Sequence, residues 1–318
     1  MLRVLGQGLA VVLLCAYALG AWITLRAPAP ERLGGEGERP AAASEPSPEA
    51  SDPGAGEGTG QSVETEASRL EQAKLDAAAA ARSSSAKRGR LPQLGEAFIE
   101  TFEGPRLHER WYVSDGWSNG DWTANDWRAS QVGLGPNGLN IRLETAEPGS
   151  EKVLKGGEVQ SRQRFRYGYF EVRMRVPRGS GVVTGVFTYA HTDGALRPEE
   201  IDIEITGRDT RHVELTYHQG GRPTGKRLAL GFDAAEDFHT YGVEWTPDAI
   251  RWRINGRQVH EARGPRVQRL TRPQLFILNQ WGTEVLTEWT GEIDHSGSPW
   301  VLEVSCVAYS PAYAGPLC

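Results

Sequence analysis

The sequence predicts an all-β sandwich or barrel, and three observations carry that prediction. From about Leu94 onward, short apolar alternations are broken every few residues by Gly, Pro and Asn, as in strands joined by turns. No long apolar pattern of helical period competes with them. Between Ile254 and Arg257 stands Asn255-Gly256, the strongest two-residue hairpin signal, preceded by a second candidate hairpin between Trp245 and Trp252.

In chain order, Met1 to Arg26 opens with Arg3 and runs almost uncharged from Val4 to Leu25, a length between a signal-peptide core and a minimal membrane span. Ala16-Tyr17-Ala18 offers a small-residue cleavage site, whereas Trp22, Ile23 and Leu25 prolong the apolar run and favour an uncleaved anchor. Residues 1–26 are therefore expected to be an apolar helix that serves as signal peptide or membrane anchor. Either reading exports the chain to the periplasm or beyond, tethered to the inner membrane if uncleaved. Residues 27–93 are rich in Pro, Ala, Gly, Glu and Ser and almost free of aromatic or large aliphatic side chains, too little to fold on. They are expected to be a disordered linker with one helix-prone patch, Leu70 to Arg82. Residues 94–318 are the folded domain. Its expected strands are Ala97–Glu103, Leu139–Glu144, Glu158–Arg162, Tyr169–Val176, Val183–Tyr189, Ile201–Ile205, Val213–His218, His239–Thr246, Ala249–Ile254, Gln274–Asn279 and Val301–Tyr309.

Composition narrows the function. A formal net charge of -6 supplies no basic footprint, so nucleic acid is not an expected partner. Seven scattered histidines and three cysteines have no metal-ligand spacing, and no metal or cofactor is expected. The spacing of Cys306 and Cys318 permits a bridge in an oxidising compartment. Ten tryptophans against two methionines suit flat sugar rings as well as they suit a core.

The chemistry concentrates in Glu200-Ile201-Asp202-Ile203-Glu204. Period-two alternation argues a strand, which sends the three carboxylates to one face and Ile201, Ile203 and Ile205 into the core, pinning the register. Like charges in a row repel, and crowding raises the pKa of at least one member, so an acid and a nucleophile can stand together. Retaining glycoside hydrolysis needs such a pair. A solvated acidic strand or a cation-binding edge fits the same five residues.

The surrounding motifs decide between these readings. Ser114-Asp-Gly-Trp-Ser-Asn-Gly120 with Trp127-Arg128-Ala129, Gly157-Glu-Val-Gln-Ser161, Tyr167-Gly-Tyr-Phe-Glu-Val-Arg173, Glu200 to Thr210, Phe238-His-Thr-Tyr241 and Trp281 to Trp289 stand in the order in which glycoside hydrolase family 16 carries them. From about residue 95 to 310 the chain resembles that family, and within it the lichenases and the glycanases that trim succinoglycan. The resemblance implies a β-jelly roll of two stacked antiparallel sheets with a concave substrate cleft. It implies Glu200 as nucleophile, Glu204 as acid/base and Asp202 as their assistant, in a retaining endo-β-glycanase. The substrate would be a 1,3-1,4 or 1,3 linked β-glucan or a bacterial exopolysaccharide, and the enzyme a monomer. A transglycosylase on the same polymers and a non-catalytic polysaccharide-binding module are the alternatives.

By the same matching, Trp117, Asn119, Glu158, Thr216, His218, Asn279 and Trp281 are expected to bind substrate. For Glu158 the rival is a cross-strand charge pair, and for Trp289 a place in the core. Several positions depart from the family. Pro198-Glu199 precede Glu200 where relatives have Trp or His followed by Asp, and Thr216 and His218 replace Asn and Tyr. The chemistry is thus expected to be kept and the substrate altered. Ser305 stands where many relatives place an Asp ligand of a structural calcium, which leaves backbone carbonyls as the remaining ligands.

Overall fold

The computed structural model describes residues 94–191 and 196–318. The expected apolar helix of residues 1–26, with Cys15, and the expected linker 27–93 lie outside the described residues. Among the described residues sixteen strands follow one another: β1 (Phe98–Glu100), β2 (Trp111–Val113), β3 (Asn125–Trp127), β4 (Val132–Gly135), β5 (Gly138–Thr145), β6 (Leu154–Ser161), β7 (Gly168–Arg175) and β8 (Val182–Ala190). Then come β9 (Glu199–Thr206), β10 (His212–Gln219), β11 (Arg222–Ala229), β12 (His239–Trp245), β13 (Ala249–Ile254), β14 (Arg257–Arg263), β15 (Leu275–Gly282) and β16 (Trp300–Ser310). One four-residue helix, α1 (Thr287–Thr290), precedes β16. Among the described residues, no helix is long and apolar enough to cross a membrane.

The main path runs β11-β10-β9-β8-β15-β6-β5-β16-β7-β12-β13-β14, with antiparallel neighbours throughout. It folds into a jelly-roll sandwich because β6 belongs to both layers. Its first half, Leu154 to Gly156, pairs with β5, and its second half, Gly157 to Gln160, pairs with β15. The switch falls on Gly156-Gly157, where the backbone turns a corner too crowded for side chains. A Cβ on Gly156 would stand 2.5 Å from Asn125 Nδ2 and 2.9 Å from Gln280 O, and one on Gly157 2.8 Å from Gln131 O.

Between the layers lies one apolar core in which Ile201, Ile203 and Ile205 meet Phe170, Tyr241, Val243 and Trp252 from the opposite layer. Both expected hairpins form, β12 to β13 and β13 to β14, and the second turns on Asn255 and Gly256 at φ 50° and 73°, as a two-residue primed turn requires. The Cys306–Cys318 bridge exists, and the backbone N–H groups of Leu317 and Cys318 donate to Glu171, so the tail is fastened to β7 twice. At Ser305 the hydroxyl accepts from Arg173 Nη1 at 2.9 Å. A guanidinium on that oxygen does not fit a calcium ion bound through position 305.

Candidate active site

Register places the acids. On β9, Glu200, Asp202 and Glu204 share one face, while Ile201, Ile203 and Ile205 are almost wholly buried on the other. Rotating the strand would strip three isoleucines from the core, about 1.5–3 kcal/mol each, so the carboxylates cannot leave their face. A second constraint comes from the opposite layer, where the buried Trp252 donates its indole N–H to the backbone carbonyl of Asp202 at 3.0 Å.

All three carboxyls line one open cavity. Glu200 and Asp202 are buried and hydrogen-bonded to each other, and Glu204 is the more accessible. Burial, then the neighbouring Asp202 charge, pushes Glu200 well above the ordinary carboxylate range. Burial, then Glu204, does the same to Asp202. Glu204 is pushed up to about 8 by burial, by the charge of Glu200 and to a smaller extent by Glu214. Three acids so close, two of them buried, cannot all ionise. The group therefore holds protons at neutral pH, and Glu204 keeps one where a leaving group would need it.

Five of the seven expected substrate residues line the same cavity: Trp117, Asn119, Glu158, Asn279 and Trp281. Glu158 accepts from Ser114 Oγ at 2.7 Å, Gln160 Nε2 at 2.7 Å and Asn279 Nδ2 at 3.0 Å. The cross-strand charge pair expected as its rival is not there, because its partners are neutral donors and burial raises its pKa. Asn119 accepts from the indole of Trp127 at 3.2 Å, which fixes its amide at the cleft wall. Trp122 and Trp281 meet edge to face, with Trp289 6.0 Å from Trp281. Trp289 is thus half-buried in a cleft-wall cluster and also hydrogen-bonds Glu214.

Thr216 and His218 are placed differently. They pair across β10 with Asp202 and Glu200, outside the cavity lining. His218 is buried, and its Nε2 lies 3.2 Å from Asp202 Oδ2, so it faces an acid. Sequence reasoning missed the apolar floor beside the acids, formed by Phe187, Tyr189, Leu275 and Ile277. Phe187 lies opposite Asp202, and Ile277 opposite Phe187. Their parity is legible only once the pairing of β8, β9 and β15 is known. Glu214, across from Glu204, was missed for the same reason.

The family model described as glycosyl hydrolases family 16 matches residues 118–297, more than half of the chain and the whole of β9. The chain belongs to glycosyl hydrolases family 16. Among curated family members, the β-glucanase of Bacillus subtilis is 35% identical over 200 residues, 63% of this chain and 80% of that one. The endo-1,3-1,4-β-glycanase ExoK of Rhizobium meliloti is 32% identical over 203 residues, 64% of this chain and 74% of that one. Among solved structures, a β-1,3-1,4-glucanase (lichenase) from a mouse hindgut metagenome superposes with a TM-score of 0.63 at 32% identity, covering 68% of this chain and all of that one.

Proposed function

We propose that this chain is an exported endo-β-glycanase that hydrolyses β-glucan, 1,3-1,4 or 1,3 linked, or a related exopolysaccharide, with retention of configuration. The observation that carries the reading is the placement of Glu200 and Glu204 on one face of β9 beside a cavity walled by tryptophans. The β-glucanase and endo-1,3-1,4-β-glycanase relatives support the substrate class.

The reaction needs no group beyond side chains and water. Glu200, as carboxylate, attacks the anomeric carbon, while Glu204 gives its proton to the glycosidic oxygen and the bond to the leaving sugar breaks. Glu204, now ionised, takes a proton from water, whose oxygen attacks the same carbon and releases Glu200. Asp202, hydrogen-bonded to Glu200, shares the proton that two adjacent carboxyls cannot both lose. Trp117, Trp281, Asn119, Glu158 and Asn279 hold the sugars by stacking and hydrogen bonding. Thr216 and His218 act from beside the acids. The chain works as a monomer, in the periplasm or outside the cell, and residues 1–26 tether it if uncleaved.

Reducing-end assays on lichenan and laminarin test the reading, together with proton NMR of the first-formed anomer. Cleavage with a β anomer appearing first, abolished by Glu200→Gln, is expected. No cleavage of either polymer, or an α anomer first, contradicts it.

A further inference from the structure

The Glu200 end of the cleft carries positive charge that hydrolysis of a neutral glucan does not use. Glu200 pairs with Tyr189, and β8 leads from there to His191, which lines the cavity. Arg272 donates to the carbonyls of His191 and, at 2.7 Å, Arg197. Burial, and then the charges of Arg164 and Arg272, depress the pKa of the His191 imidazole. Arg197 lies over the turn between β10 and β11, where a Cβ on Gly221 would come within 2.9 Å of its Cδ. Across that turn Arg266 donates to the carbonyls of Gln219, at 3.3 Å, and Arg222, and Arg269 to Gln219 Oε1 at 3.4 Å.

Arg164, Arg197, Arg266, Arg269 and Arg272 thus border one rim, with Arg222 beside them at the start of β11, and the side-chain hydrogen bonds of Arg266, Arg269 and Arg272 go to neutral oxygens. Other guanidinium groups are matched with acids, as Arg251 with Glu244 and Glu261, or Arg175 with Glu303, or stand singly on neutral oxygens, as Arg162, Arg173 and Arg208 do, but these do not gather at the cleft. Among the described residues, Arg164, Arg197, Arg222, Arg266, Arg269 and Arg272 form no ion pair within 4.0 Å. Glu199 stands among them, but it is buried and one of its oxygens is taken up by the N–H groups of Thr271 and Arg272. Like charges gathered with the buried Glu199 as their one acidic neighbour repel, and the guanidinium fork matches a carboxylate in two parallel hydrogen bonds.

We propose that this arginine collar is a subsite for a carboxylate carried by the polysaccharide, on the Glu200 side of the cleaved bond. The substrate class is then an acidic β-glycan. The inference rests on the hydrolase reading above and adds the charge of the polymer to it. Continuity with the cleft through His191 favours a threaded glycan chain over a flat anionic lipid surface.

The test compares kcat/KM on mixed-linkage β-glucan and on the same polymer partially oxidised to carboxylates at C6, using the full chain and its Arg197→Gln/Arg222→Gln variant. The ratio of carboxylated to parent activity is expected to fall about three- to tenfold in the variant. It is expected to fall similarly in the unsubstituted chain when ionic strength rises from about 0.01 M to about 1 M, which shortens the Debye length from roughly 30 Å to 3 Å. A ratio indifferent to both changes overturns the subsite, even if both polymers are cleaved. The same indifference with salt-sensitive binding to phosphatidylglycerol vesicles assigns the collar to membrane and overturns it too. Failure to cleave either polymer overturns the hydrolase reading, and this inference with it.

Discussion

Glu204 carries the most direct consequence at the scale of single residues. Because burial and the Glu200 charge push its carboxyl up to about 8, it is still protonated at neutral pH, and kcat/KM on lichenan is expected to decline as pH rises through that value. A decline that starts near pH 5 would contradict this. Stability follows the same group with a definite sign. The folded state holds a proton on Glu204 that the unfolded chain gives up near ordinary carboxylate pH, so this residue lowers stability progressively as pH rises toward about 8 and costs nothing at acid pH. Glu204→Gln is therefore expected to abolish hydrolysis of lichenan yet raise Tm at pH 8, by about 1–3 kcal/mol in stability, with a much smaller gain at pH 4. Thermal melts of both proteins at the two pH values check this. A uniform loss of stability would show that the proton is not held in the fold.

At the scale of elements, β9 is positioned by its neighbours and β6 by its glycines. Gly156→Ala inserts a methyl group against the Gln280 carbonyl and is expected to cost about 1–3 kcal/mol in denaturant unfolding. An unchanged midpoint would mean the corner between the layers can relax. How far the elements were legible follows from the same physics. β5, β7, β8, β9, β10, β12, β13, β15 and β16 alternate or bury enough apolar side chains to announce themselves, and their ends shift by no more than three residues. β11, Arg-Pro-Thr-Gly-Lys-Arg-Leu-Ala, does not, because an exposed edge strand needs neither alternation nor apolar residues. β2, β3 and β4 span three or four residues, too short to show a period. At the site, the motifs single out the acids and Trp117, Asn119, Glu158, Asn279 and Trp281, and the fold brings these side chains to one cavity. The motifs do not single out the apolar floor or Glu214, because strand pairing alone brings them beside β9. His218, expected among the substrate residues, has its Nε2 3.2 Å from Asp202 Oδ2, a neighbour that a sequence motif does not name.

For the whole molecule, the closing features are the disulfide and the Arg173–Ser305 contact. Reducing Cys306–Cys318, which closes a loop across a separation of 12 residues, is expected to lower Tm by about 5–10 °C, measured by calorimetry with and without reductant. Chelation with EDTA is expected to leave Tm unchanged, because the guanidinium of Arg173 stands on the Ser305 hydroxyl that would face a cation. A chelator-sensitive Tm would contradict that placement. The central claim is the division of labour between Glu200 and Glu204, and azide rescue on an activated aryl β-glucoside of lichenan-derived oligosaccharide measures it directly. In Glu200→Ala, azide is expected to attack the sugar once and give the α-glycosyl azide. In Glu204→Ala, it is expected to intercept the glycosyl-enzyme and give the β-glycosyl azide. The opposite pairing of products and variants, or no rescue of either, would contradict the account.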